Sequence, residues 1–188
     1  PTSENLPSVQ YHIGMSYLAQ ASTSDRDQEP LRQALTYFAN LVDRYPTSPW
    51  TEKARLRQRE CRESLAKHHR DIAAWYIRHD NIQAAESRLA NLLSDYPDTD
   101  AAADTLDLFA REYGKRDDNE SATLARATLL RHHPNGPLAE RAREAGTAAP
   151  NDDPLPKLLD RLAGLKTRPD RQKAPATISS YPTQPPGY

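Results

Sequence analysis

Apolar residues recur every three to four positions along most of this chain. From Pro30 to Tyr45, the residues Leu31, Ala34, Leu35, Phe38, Leu41 and Val42 form one helical stripe. From Ile82 to Tyr96, Ala85, Leu89, Leu92 and Leu93 form another. Pro30 suits the first turn of a helix. Asp80-Asn81 and Asp117-Asp118-Asn119 carry turn and N-cap chemistry, and the Tyr-Pro pairs at 45–46 and 96–97 end helices. After Pro49 neither Gly nor Pro occurs before Pro97. The pattern therefore predicts one long helix at about 50–79, with Thr51 to Arg78 its 28-residue body. At ~1.5 Å per residue it spans ~42 Å. Its apolar face is Ala54, Cys61, Leu65, Ile72 and Tyr76, with Trp50 at the entrance.

The stripes belong to a repeat. Ala34, Leu41, Tyr45 and Pro46 recur as Ala85, Leu92, Tyr96 and Pro97, and again as Ala122, Leu129, His133 and Pro134. Upstream of each set lies an apolar residue, a small residue and a Tyr: Ile13-Gly14 with Tyr17, Ile72-Ala73 with Tyr76, and Phe109-Ala110 with Tyr113. Small residues where paired helices touch, aromatics between them and a closing proline are the order of the 34-residue tetratricopeptide pattern. Small side chains let two helix axes approach to ~8–10 Å. Arg126 and His133 stand where the third repeat departs from the pattern.

The successive alanines are 51 and 37 residues apart. Most of the excess over 34 falls between Ser48 and Ala66, inside the long helix. Those extra turns exceed what one repeat pair can bury, so they are expected to project or bridge and to offer a surface to a partner. A smaller insertion surrounds Ser22 to Asp27.

The expected architecture is all-α: a right-handed tetratricopeptide-like solenoid of three helix pairs, at about 6–48, 49–99 and 100–136. A polar capping helix over 137–146, stopped by Gly146, completes a domain of 1–146. Residues 147–188 read as a Pro-rich, mostly disordered tail. Eight of the sixteen prolines fall from Pro150 onward. Within that tail, 154–165 places Leu155, Leu158, Leu159, Leu162 and Leu165 on one stripe. So short a helix is marginal alone; it either docks back on the array or waits for a partner groove.

Composition narrows the function. The 188 residues carry 25 Lys and Arg against 26 Asp and Glu, a net charge of −1, which excludes a nucleic-acid binder driven by bulk charge. Mean hydropathy is −0.87, and no run approaches the ~18 apolar residues of a membrane span. The single cysteine, Cys61, excludes an intramolecular disulfide and a Cys-rich zinc site and reads as a buried structural thiol. The chain opens Pro-Thr-Ser-Glu-Asn, which reads as a processed fragment.

No phosphate-binding, dinucleotide-binding, metalloprotease or nucleophile-elbow motif is present. His68-His69 and His132-His133 are neighbours in sequence, so on a helix they point ~100° apart and chelate one metal poorly. No enzyme, cofactor or metal is expected. Asp25-Arg26-Asp27 reads as a loop fixed by an Asp–Arg pair and an N-cap, or as a recognition loop. The long helix carries eight basic and four acidic side chains. Arg55, Arg59 and Arg62 share one flank, Arg57 lies on the opposite edge of the apolar stripe, and Leu56 points away from it. A solvated basic face and a docking surface built on an unpaired Arg row both fit this spacing.

Taken together, Ser24-Asp25-Arg26-Asp27, the run from Ala34 to Ser48, Leu65-Ala66-Lys67, Ala73-x-x-Tyr76 and Asp95-Tyr96-Pro97-Asp98-Thr99 resemble the BamD family. These are tetratricopeptide lipoproteins of the bacterial outer-membrane β-barrel assembly machinery. The likeness covers roughly Val9 to Pro134 and is most specific where the Ser-Asp-Arg-Asp loop is joined to the long helix.

The resemblance implies the C-terminal three of five repeats, without the client-facing N-terminal repeats and without the lipidated cysteine. It implies a non-enzymatic scaffold at the periplasmic face of the outer membrane, touching the membrane only through that missing anchor. The implied partner is BamA, through its POTRA domains and in particular the last; other lipoproteins of the machinery are further candidates. Arg57 falls where the family's long helix carries an arginine that pairs with an acidic residue of BamA. The expected docking residues are Arg57, Arg55, Leu56, Arg59 and Arg62, with Asp25, Arg26 and Asp27. The competing expectation is a tetratricopeptide adaptor that holds an extended peptide along inner helices, around His69, Leu106 and Tyr113. A metal-dependent hydrolase would need clustered ligands.

Overall fold

The computed structural model describes residues 5–21 and 27–165. Asp25, Arg26 and, of the disordered tail expected over 147–188, the part beyond 165 lie outside them. Residues 147–165 are described and include a helix at their end, a correction to the expected boundary at 146. All regular structure among the described residues is helical: α1 (Leu6–Ala21), α2 (Glu29–Arg44), α3 (Thr51–Arg78), α4 (Ile82–Asp95), α5 (Asp100–Lys115), α6 (Asn119–His132), α7 (Pro137–Glu144) and α8 (Leu155–Leu165). The chain divides into two compact units, with the boundary inside α3 between Leu65 and Ala66.

In the first unit α1 packs on α2. Gly14 is buried where they touch, and a Cβ there would stand 2.6 Å from Cε1 of Phe38. The close approach therefore requires glycine. Phe38 and Leu41 are buried beside Ala34, and Tyr17 stacks on Tyr37 at 5.6 Å. The start of α2 is set by Pro30 in its first turn and by Asp27, whose Oδ1 accepts the Glu29 N–H at 2.9 Å. Asp27 thus acts as a turn-forming residue one position before the Gln28 cap.

The second unit is built on Ala73 of α3, Ala85, Leu89, Leu92 and Leu93 of α4, and Leu106, Phe109 and Tyr113 of α5. Ala122, Ala125 and Leu129 of α6 close it. The small residues predicted at the helix crossings, Ala73, Ala85, Ala110 and Ala122, are all buried. The turns into α4 and α6 share one backbone solution. Asp80 (φ 53°) and Asp117 (φ 59°) occupy the left-handed region. The next residue's N–H bonds back to the Tyr76 carbonyl at 2.9 Å and to the Tyr113 carbonyl at 3.0 Å. Asn81 and Asp118 then cap their helices by accepting the N–H of Ala84 and of Ser121.

The repeat is equally plain at the helix ends. Tyr45, Tyr96 and His133 each follow the last helical residue with φ between −132° and −138°, and each donates its N–H to the carbonyl four residues back. His133 keeps this geometry, and its Nε2 lies 3.0 Å from the Pro97 carbonyl oxygen. The substitution that weakened the pattern in sequence is a satisfied structural contact. Arg126 likewise donates to the Thr147 hydroxyl at 2.9 Å.

α7 packs on α5 and α6 through Ala139 and Ala142, and Gly146 (φ 79°) ends its turn. The short helix left open by the sequence docks back. α8 lies on α4 and α6 with Leu158 and Leu162 fully buried. Three residues expected to line a peptide groove, His69, Leu106 and Tyr113, are themselves buried. Their side chains are consumed by packing, because the inner faces of these helices close on one another. Tyr113 donates its hydroxyl to the buried Glu86 carboxylate at 3.2 Å.

Candidate functional site

α3 is helical from Thr51, as the absence of breakers requires. Its entry is fixed by the Tyr45 carbonyl, which accepts the Ser48 N–H at 3.0 Å and the Thr51 hydroxyl at 2.5 Å. Thr51, Ala54, Cys61 and Leu65 are buried in the first unit, and Ala66, His69 and Ala73 in the second. Ile72 and Tyr76, expected on this face, are half-buried. The buried stripe follows the Ala66–His69–Ala73 line and leaves Ile72 and Tyr76 at its edge.

The opposite flank of the first unit faces solvent. Leu56 is 47 % exposed, among the few large hydrophobic side chains left open. Arg55 and Arg59 are exposed, and Arg57 and Arg62 are half-buried. The arginines are not an unpaired row. Arg55 lies 3.5 Å from Glu52, and Arg57 donates to Glu60 at 2.7 Å. On one helix an Arg three residues from a Glu shares its face, so the acids interleaved in the sequence supply the partners. Arg59 has no ion-pair partner among the described residues.

Arg57 is held further by elements the sequence did not reveal. Its hydrogen bond to Glu60, and then one to the Tyr11 hydroxyl, push its pKa above the usual arginine value. The 2.7 Å contact with Glu60 is what holds its guanidinium in place. Tyr11 leans on Trp50 at 5.0 Å and on Phe38 at 5.8 Å. His12 meets Trp50 edge-on at 5.3 Å, and the Lys53 ammonium lies 4.8 Å from the Trp50 ring centre. The side chain at 57 thus rises from an aromatic platform shared by α1 and the start of α3. Only Trp50 signalled this platform in sequence; Tyr11 and His12 join it through the α1 packing, and Lys53 from the first turn of α3.

Cys61 lies fully buried on the inner face, and burial, with the nearby Glu60 charge adding to it, pushes its thiol up to about 11. It is a packing residue. Among the described residues no group of three metal-binding side chains forms, and no helix is long and apolar enough to cross a membrane.

This geometry sits within a sequence that matches the family model YfiO, outer membrane lipoprotein, over residues 1–129. The chain belongs to the BamD (YfiO) family. The Pasteurella multocida outer membrane protein assembly factor BamD is 30 % identical over 139 residues, 69 % of this chain and 54 % of that protein. The Vibrio cholerae protein of the same name is 33 % identical over 123 residues, 60 % of this chain and 51 % of that protein. The Xylella fastidiosa one is 27 % identical over 147 residues, 73 % and 50 % respectively. The chain spans about half the length of the BamD relatives it matches. The α3 flank, the Tyr11–Trp50 platform and Asp27 all fall inside the family match, whereas α7 and α8 lie beyond its end at residue 129.

Proposed function

We propose that this BamD-family chain is a non-enzymatic scaffold in outer-membrane β-barrel assembly. It docks through the exposed flank of α3 on the periplasmic POTRA domains of BamA, the last in particular. In the full-length protein a lipid anchor would hold it at the periplasmic face of the outer membrane, where other lipoproteins of the machinery can meet it.

One observation carries the reading: an outward Leu56 beside a cation, Arg57, fixed in place by Glu60 and Tyr11. An exposed aliphatic side chain supplies apolar contact, and a pre-oriented guanidinium reads a carboxylate with little ordering cost. Arg55, Arg59 and Arg62 add positive potential that steers encounter with an acidic surface. Asp25, Arg26 and Asp27 remain part of the proposed interface through the loop before α2. The mechanism is equilibrium docking that fixes the POTRA geometry during barrel folding.

The test is titration of the chain with purified POTRA domains. Arg57→Glu should weaken binding by about ten-fold or more, as for a central interface residue, with helix content retained. Unchanged affinity would show that the docking face lies elsewhere.

A further inference from the structure

α8 is not the second helix of a fourth repeat. α7 stands where the next first helix belongs, against α5 and α6, whereas α8 lies across α4 and α6, the second helices of two successive pairs. Gly146 (φ 79°) opens the segment that joins α7 to α8.

Its seat has the features of a ligand site. Leu158 and Leu162, one turn apart, are fully buried. Between them Arg161 donates to Asp118 at 2.8 Å and to the Ser121 hydroxyl, and lies 2.8 Å from Glu120. All three partners belong to the start of α6. Asp118 already caps α6 through the Ser121 N–H at 3.1 Å, so this acidic end is built without α8. The near end of α8 is held more lightly. Exposed Asp153 accepts the Leu155 N–H at 2.9 Å, and one of its oxygens lies 3.1 Å from His132. An open cleft lined by Glu120, Thr123, Leu124, Lys157 and Arg161 runs along the seam. An eleven-residue helix is marginal in isolation, so its folding and its docking are coupled.

We infer that α8 is a tethered ligand of the α4–α6 groove: it leaves and re-enters as a unit. The groove accepts in its place an amphipathic helix of another protein carrying Leu-x-x-Arg-Leu, the pattern of Leu158, Arg161 and Leu162. The buried pair supplies apolar contact, and the arginine selects the acidic end of α6 and so sets the helix direction. This goes beyond POTRA docking and does not depend on it.

The test uses the full chain and a fluorescent peptide of residues 152–165. Leu158→Asp with Leu162→Asp empties the groove. The peptide should bind this variant at least about ten-fold tighter than the unchanged chain, whose own α8 competes at high effective concentration. A peptide with Arg161→Glu should lose that binding. Equal binding to both chains, with the variant still folding cooperatively, overturns the proposal. So does a dimer of the unchanged chain that persists in excess peptide, which would make a second copy the occupant. If the variant fails to fold, amide exchange on the unchanged chain decides. α8 exchanging about ten-fold or more faster than α5, with α4 and α6 still protected, supports a ligand that detaches. Exchange of α8 and α5 as one cooperative unit overturns it.

Discussion

The Arg57 guanidinium donates to the Glu60 carboxylate at 2.7 Å, one turn further along α3, while remaining 35 % exposed. The pair is anchored enough to be oriented and open enough to be met by another protein. Exposed ion pairs contribute only about 0–1 kcal/mol to stability. Arg57→Ala should therefore leave the thermal midpoint within a few degrees of the unchanged chain while weakening POTRA binding. A large loss of stability, read by circular dichroism, would assign Arg57 to the fold.

Gly14 and Phe38 test the helix crossing. Alanine at 14 would gain about 1 kcal/mol of helix propensity, but its Cβ would stand 2.6 Å from a ring that is fully buried. Overpacking a core costs about 1–3 kcal/mol. Gly14→Ala should therefore destabilise the first unit by about 1 kcal/mol in urea unfolding, the difference of those effects. In the Phe38→Leu background the same change should cost less, because the ring that blocks it is gone. Additive effects would show that the Phe38 ring is not what blocks a Cβ at this crossing.

Cys61 should be inert in the native chain. Burial raises its thiol to about 11, so the reactive thiolate is scarce at pH 8 and shielded from solvent. Labelling by a thiol reagent should be slow in buffer and rapid in denaturant. Fast native labelling at pH 8 would contradict the buried inner face of α3.

Asp118 carries a pH dependence of known sign. Burial pushes its pKa up, but the Ser121 N–H and hydroxyl and the Arg161 guanidinium outweigh this and hold it below the usual carboxylate value. Because the folded-state pKa is lowered, the stabilisation is fully present above the unfolded value of about 3.9 and is lost as pH falls through the folded value. Asp118→Asn should retain much of the cap yet flatten this acid limb. Asp118→Ala should cost about 1–2 kcal/mol from the lost cap and the unpaired Arg161. Acid titrations of unfolding that are superimposable for Asp118→Asn and the unchanged chain would contradict the assignment.

The fold was legible wherever local chemistry and repeat spacing agreed. Ala34, Ala85 and Ala122 marked helix crossings, Asp80-Asn81 and Asp117-Asp118 marked turns, and the missing Gly and Pro marked α3. His133 and Arg126 misled, because a repeat pattern scores residue type, while the structure needs only a cap geometry and a reachable acceptor. The candidate site was legible in part. Leu56 and the arginines follow from helical phase, but their pairing with Glu52 and Glu60 was overlooked in treating the basic flank as unpaired. Tyr11 could not be assigned to Arg57, since only the packing of α1 brings together residues so far apart in sequence. The destination of α8 was open because its leucine stripe specifies an apolar surface without saying which one.

The central claim is that the open flank of α3 is what another protein grips. A photo-crosslinking side chain at Leu56, compared with one at the exposed Arg111 on α5, tests it most directly in the presence of BamA POTRA domains. The account predicts strong crosslinking from position 56 and little from 111. Crosslinking from 111 with none from 56 would contradict it.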